Sequence, residues 1–287
     1  MSDRLEEYFG PEVKSMSIRQ TRKGCFQELL GCGASNEFKW FHTTDGKNEK
    51  IAESLEESNC LMRIFCGGCH EFDMPVKIDG TNEELMTMNH PMRCGLACGK
   101  CCCYQEMSMK SKGSEMGSIK EGFYCCVPRM MISDGSGAPV YKVHPPTCVG
   151  GMCVNCWAEG DPCGKGCCKA SYEVFPHDQQ DTDNGAPSVA KIMKVPKSPL
   201  TEIFTDSKAF DITFPYEASA QHKALIAGTT IFLNANFFEA HIEKLLTLPK
   251  VAVAAAATAA AIPVVVEVAA VAASAIPAVL VGGGGGG

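Results

Sequence analysis

Before position 200 no stretch of eleven or more residues sustains a helical apolar period, and this rules out most helical folds. The apolar residues fall instead in short runs, among them FDMPVKI, ELMTMNH, RMMISD and SYEVF. Several alternate with period two over about four to seven residues and end in turn chemistry such as Asp-Gly or Ser-Gly. The runs recur about every 8–15 residues, a rhythm that points to an all-β sandwich or barrel and away from βαβ units. KIAESLEES (50–58) fits either one or two helical turns or an extended run.

Two C-terminal segments break this pattern. Residues 220–240, AQHKALIAGTTIFLNANFFEA, are the most apolar part of the folding portion, interrupted by Thr229, Thr230, Asn234 and Asn236. A spanning helix wants about 20 mainly apolar residues, and asparagines are costly in lipid unless paired. A buried helix therefore ranks ahead of a membrane span. Residues 251–281 are Ala/Val/Pro low complexity followed by six glycines. Pro263, Glu267 and Pro277 break a run otherwise long enough to cross a bilayer, so membrane association and a loosely packed tail both stay open. Residues 1–13 read as a polar leader, and 176–199 as a polar, Pro-rich connector with a strand at Val189–Met193.

A net charge of -7 offers no basic surplus to neutralise phosphates, so no nucleic-acid partner is expected. Hydrophobic content of 45% against 21% charged residues suits a folded core. The opening stretch, MSDRLEEYFGPEV, has no apolar signal region, so the eighteen cysteines call for an explanation other than a disulfide framework. Cys66-Gly-Gly-Cys69, Cys98-Gly-Lys-Cys101 and Cys153-Val-Asn-Cys156 each have the spacing to place two thiolates on one zinc ion, but they do not repeat a zinc-ribbon rhythm. Cys101, Cys102 and Cys103 are consecutive and suit neither one metal nor disulfides. Thioester acylation tolerates such clustering, and two acyl chains turn weak membrane binding into stable anchoring. Free thiols, zinc and acylation all remain open on spacing alone. His42, His70, His90, His144, His177, His222 and His241 are scattered, none in a ligand-spaced pair with another histidine. No constellation of nucleophile, base and orienting group is evident, so no catalytic residue is assigned.

The blocks KGCFQELLGCGASNEFKW (23–40), SNCLMRIFCGGCHEFDM (58–74), HPMRCGLACGKCCCYQEM (90–107), PPTCVGGMCVNC (145–156), SYEVF (171–175), FTDSKAFDITFP (204–215) and FLNANFFE (232–239) resemble the phospholipid scramblase family, in the family's order. The resemblance implies a mainly β, tubby-like fold over 14–240: a closed antiparallel β-barrel around a hydrophobic C-terminal helix near 220–240, with 241–287 as a low-complexity tail. It implies a membrane-associated protein that moves phospholipids in both directions between leaflets without bond chemistry, with self-association as one route across the bilayer. The localisation it implies is the cytoplasmic face of the plasma membrane or another membrane, acyl-anchored, with a single pass near the C-terminus kept open. A non-catalytic, acyl-anchored lipid-binding or adaptor module and a structural zinc protein using Cys66, Cys69, Cys153 and Cys156 stand as alternatives.

Residue by residue, the resemblance marks Cys98, Cys101, Cys102 and Cys103, just before Gln105-Glu106, as palmitate acceptors. It marks the twelve residues from Asp206 to Glu217 as the calcium segment, with Asp211 adding a carboxylate. Lys208 puts a cation where the family has an acid, so a surface turn leading into a buried strand competes with a calcium site. The Pro-rich N-terminal interaction segment of many relatives has no counterpart here, since the leader holds only Pro11.

Overall fold

A computed structural model of the chain describes residues 3–22, 36–44, 47–58, 70–93, 103–124, 126–155, 170–179, 187–195 and 209–239. The chain opens with helix α1 (Asp3–Phe9), followed by strands β1 (Ser15–Arg22), β2 (Asn36–Thr44), β3 (Lys47–Leu55), β4 (Phe72–Ile78), β5 (Glu84–His90) and β6 (Glu106–Ser111). Then come β7 (Ser114–Glu121), β8 (Met130–Asp134), β9 (Pro139–His144), a short hairpin of β10 (Thr147–Cys148) and β11 (Cys153–Val154), β12 (Ala170–Pro176), β13 (Ala190–Val195) and β14 (Ala209–Thr213). Helix α2 (Ala220–Leu233) follows and passes directly into a π-helical segment, Asn234–Glu239. All strands except β10 and β11 form one closed antiparallel barrel, sealed where β1 pairs with β14. Met1–Phe238 form one compact unit.

Period-two alternation builds the barrel wall. In β5 and β6 it sends Met86, Met88, His90, Met107 and Met109 inward, and all five are fully buried. KIAESLEES resolves as β3, its inward Ile51 and Ala52 buried, rather than as helix. The alternating strands would leave a hollow, and α2 fills it. Apolar side chains cover every side of α2, and a helix of that kind is stable only when buried all round. Ala224–Leu233 are all buried. Thr229 Oγ1 donates to the Leu225 carbonyl at 2.9 Å, and Asn236 Nδ2 to that of Phe232 at 2.9 Å, so two of the interrupting polar groups are met within the helix. The single pass kept open near the C-terminus is corrected here. Among the described residues no helix is long and apolar enough to cross a membrane. α2 has 14 residues against the roughly 20 a span needs. Residues 251–281 lie outside the described residues.

The leader that reads as polar is a folded element. Leu5 and Phe9, four apart on α1, are buried, and Phe9 meets Phe214 edge-on at 6.5 Å between centroids. α1 packs on the first turns of α2 through Lys223, which is only 1% exposed. The Lys223 ammonium donates to the carbonyls of Gly10 and Val13 at 2.8 Å each and to that of Pro11 at 3.5 Å. Burial lowers its pKa below the ordinary lysine value, while Glu6 and Glu12 act in the opposite direction. The carbonyls after α1 thus solvate a cation that the barrel would otherwise reject. Replacing Lys223 with Met keeps the apolar stem but strands these carbonyls. The expected cost is about 2–3 kcal/mol, read as a lower urea midpoint with an unchanged m-value.

Candidate functional site

The two ends of the barrel differ. Strand registers place the turns Asp79–Glu83, Lys112–Gly113 and Gly135–Ala138 at one end, together with α1 and the start of α2. At the other end lie the connections spanning 23–35, 56–71, 91–105, 122–129, 145–169 and 196–208. All eighteen cysteines of the sequence fall within these connections. The strand order therefore makes every cysteine-bearing connection leave the barrel at the same end, although the cysteines span 144 positions of the sequence, Cys25 to Cys168.

Of the expected acyl acceptors, Cys103 is half-buried and free of any disulfide, while Cys98, Cys101 and Cys102 lie outside the described residues. The stems of that connection are clasped together. Gln105 Nε2 donates to the Arg93 carbonyl at 3.0 Å, and the Arg93 guanidinium reaches Glu106 at 2.7 Å. The Gln105 backbone N–H also donates to the Glu121 carboxylate at 3.3 Å. The Gln-Glu pair that marks the motif in the sequence is thus the fastener that closes the base of the cysteine-bearing connection.

Of the zinc alternative only Cys153 is described: it is exposed, lies directly across the hairpin from Cys148, and makes no disulfide with it. Cys66, Cys69 and Cys156 lie outside the described residues. Of the calcium segment, Asp206 is likewise outside. Asp211 lies exposed on the outer wall in the middle of β14, and Glu217 sits in the turn beyond that strand at the opposite end from the cysteines. Five of the twelve residues, Ala209–Thr213, are paired to β1 on one side and β13 on the other. A strand laddered on both sides cannot wrap an ion as a coordinating loop does. Among the described residues no group of three or more His, Cys, Asp or Glu side chains is placed to hold a metal.

The sequence reading missed a buried polar chain at the cysteine-bearing end. Gln20 Nε2 donates to Asn36 Oδ1 at 2.7 Å, and Asn36 Nδ2 to Glu56 Oε2 at 2.5 Å. Glu56 Oε1 also takes bonds from the Ser58 hydroxyl at 2.6 Å and from His70 Nε2 at 2.9 Å. His90 Nδ1 lies 3.3 Å from the His70 carbonyl, so that nitrogen carries the proton. His90 Nε2 is buried without a hydrogen-bond partner, and the ring stacks on Phe72 at 4.8 Å and 2° and leans toward Phe232 of α2. The chain links β1 through β5 across the barrel mouth and keeps the roots of three cysteine-bearing connections together. One signal was available in the sequence: in ELMTMNH the parity that buries Met86 and Met88 buries His90 as well.

Burial pulls the His90 pKa down from 6.5 to about 4, the His70 carbonyl only partly opposing it. Between those values an unfolded chain holds a proton that folded His90 does not, so stability falls as pH drops through that window. The loss reaches up to about 3 kcal/mol. Urea midpoints measured from pH 7 to pH 4 should fall less steeply in His90→Asn than in the unaltered chain.

The comparisons with known proteins agree on one family. A family model described as Scramblase matches residues 25–240. Human phospholipid scramblase 1 is 27% identical over 192 residues, covering 67% of this chain and 54% of that protein. Bovine phospholipid scramblase 2 is 25% identical over 211 residues, with 74% and 64% covered. Human phospholipid scramblase family member 5 is 24% identical over 212 residues, with 74% and 69% covered. The chain spans just over half the length of phospholipid scramblase 1. With a family match over most of its length and a closed barrel built around its C-terminal helix, the chain belongs to the scramblase family.

Proposed function

We propose that this chain promotes bidirectional movement of phospholipids between the leaflets of a membrane. Acyl chains on Cys98, Cys101, Cys102 and Cys103 would hold it there. The observation that carries the reading is the family match over 25–240, together with relatives named as phospholipid scramblases. The grouping of all the cysteine-bearing connections at one barrel end supports the anchor: chains attached there enter the same bilayer, and each buried methylene adds about 0.8 kcal/mol.

The packed interior constrains the mechanism. α2 and the methionines around it occupy the barrel, so a phospholipid headgroup would pass along the outer wall or between copies of the chain. Self-association at the membrane is therefore part of the proposal. Any calcium response would be weak, because β14 takes up much of the segment the resemblance assigns to the ion. The same filled barrel favours a second reading, an acyl-anchored lipid-binding or adaptor module that moves no lipid itself.

Purified chain reconstituted in vesicles with labelled lipids separates the two readings: flip rates above those of protein-free vesicles are expected, with little change on adding calcium. Rates equal to protein-free vesicles would leave the adaptor reading. Replacing Cys98, Cys101, Cys102 and Cys103 together with Ala should weaken membrane association to that of chain made without acyl groups, at an unchanged melting temperature. Membrane affinity of the variant equal to that of the acylated chain would overturn the acyl anchor.

A further inference from the structure

The exposed large apolar side chains are unevenly placed. Leu55, Met92, Phe123, Val149 and Met152 all lie at the cysteine-bearing end, whereas Val189 and Tyr216 lie at the other. Leu55 ends β3, and the other four come from the β5–β6, β7–β8 and β9–β12 connections, which follow it round the rim in barrel order. Phe123 is 72% exposed, Val149 62% and Met152 67%, values a water-facing loop gains nothing from.

The β10–β11 hairpin stands out further. From Pro145 to Asn155 it carries no charged residue, nor does Gly122–Pro128 around Phe123. At the hairpin tip Val149, Gly150 and Gly151 all have positive φ, 54°, 64° and 80°. A left-handed conformation is unfavourable for a β-branched residue, and here the valine gains no burial for it. The conformation serves to project Val149 and Met152 outward.

We propose that this barrel end is a membrane-docking face, with Phe123, Val149 and Met152 inserted into the acyl region of a lipid bilayer. The inference rests on the lipid reading above for the choice of partner, but it requires neither acylation nor lipid movement. The geometry favours a bilayer over a protein. A protein partner needs one contiguous apolar patch. A bilayer accepts separate apolar tips, and these three stand on connections that leave the barrel at one end. Inserting the tips desolvates no ion, because Gly122–Pro128 and Pro145–Asn155 carry no charged residue.

The test uses the full chain made in bacteria, without acyl groups, floated with vesicles of phosphatidylcholine and phosphatidylserine. The unaltered protein should float with the vesicles. The combined variant Phe123→Ser, Val149→Ser, Met152→Ser should bind about tenfold or more weakly at an unchanged melting temperature. Tyr216→Ser, at an equally exposed apolar site on the other end, should bind as the unaltered protein does. Independently, Phe123→Trp should show indole emission quenched by brominated acyl chains, which decides the matter even if the triple variant misfolds. Absence of binding by the unaltered protein, equal binding by the triple variant, or an unquenched indole overturns the proposal. So does loss of self-association with vesicle binding intact, which would make the rim an interface between copies. Failure to move labelled lipid in vesicles to which the protein binds would count against the scramblase reading alone.

Discussion

A helix with apolar side chains on every side cannot rest against water, and in this chain the rest of the fold is arranged to keep water from it. α2 meets the wall so closely that a Cβ built on Gly228 would lie 2.4 Å from the Met109 sulfur, and one on Gly117 would lie 2.2 Å from the Ser133 carbonyl oxygen and 3.0 Å from Leu225. Glycine at those two places lets helix and strands approach. Around them the strands present unbranched, deformable methionines from β1, β4, β5, β6, β7 and β8, which fit the irregular gap between a straight helix and a twisted wall. The one cation on the buried length of α2, Lys223, finds its solvation in the carbonyls of the segment after α1. Helix, wall and N-terminal cap thus satisfy one another, and none of the three is a complete structure alone.

Filling the barrel also divides its two ends. Where α2 enters lie α1, short turns and the connection between β12 and β13. Where it leaves, the long connections emerge, with the polar chain from Gln20 to His90 tying their roots together. The interior is spent on packing, which leaves the two ends and the outer wall as the surfaces the barrel presents. The thiols, the clasped base of the 91–105 connection and the apolar tips are consistent with that division.

Much of the barrel was legible in the sequence because a strand with one wet face writes its burial every second residue. ELMTMNH, FDMPVKI and RMMISD map onto β5, β4 and β8 almost residue for residue. Closure, and the place of the buried helix inside the barrel, came from resemblance, since alternation alone cannot tell a sandwich from a barrel. α1 was missed because its buried side is only Leu5 and Phe9 among charged residues, too short a run for a periodic signal. The polar chain was missed for a different reason: Gln20, Asn36, Glu56, His70 and His90 are brought together by strand pairing, and nothing local announces it. The distribution of the cysteines was the hardest to see. Their spacing suggested local metal pairs, while the property they share, which end of which strand they follow, exists only once the topology is known.

The pairing of β1 with β14 and the grip of Lys223 on the carbonyls of Gly10 and Val13 join parts of the chain about two hundred residues apart. On a ribosome, the wall strands leave the exit tunnel long before the residues that will fill and seal them. An unfilled, unclosed sheet lined with methionine, isoleucine and phenylalanine must then wait in the cell with its inner face and both edge strands open. Such a nascent chain is a client for chaperones until α2 arrives, and truncation anywhere before α2 removes the core rather than an appendage.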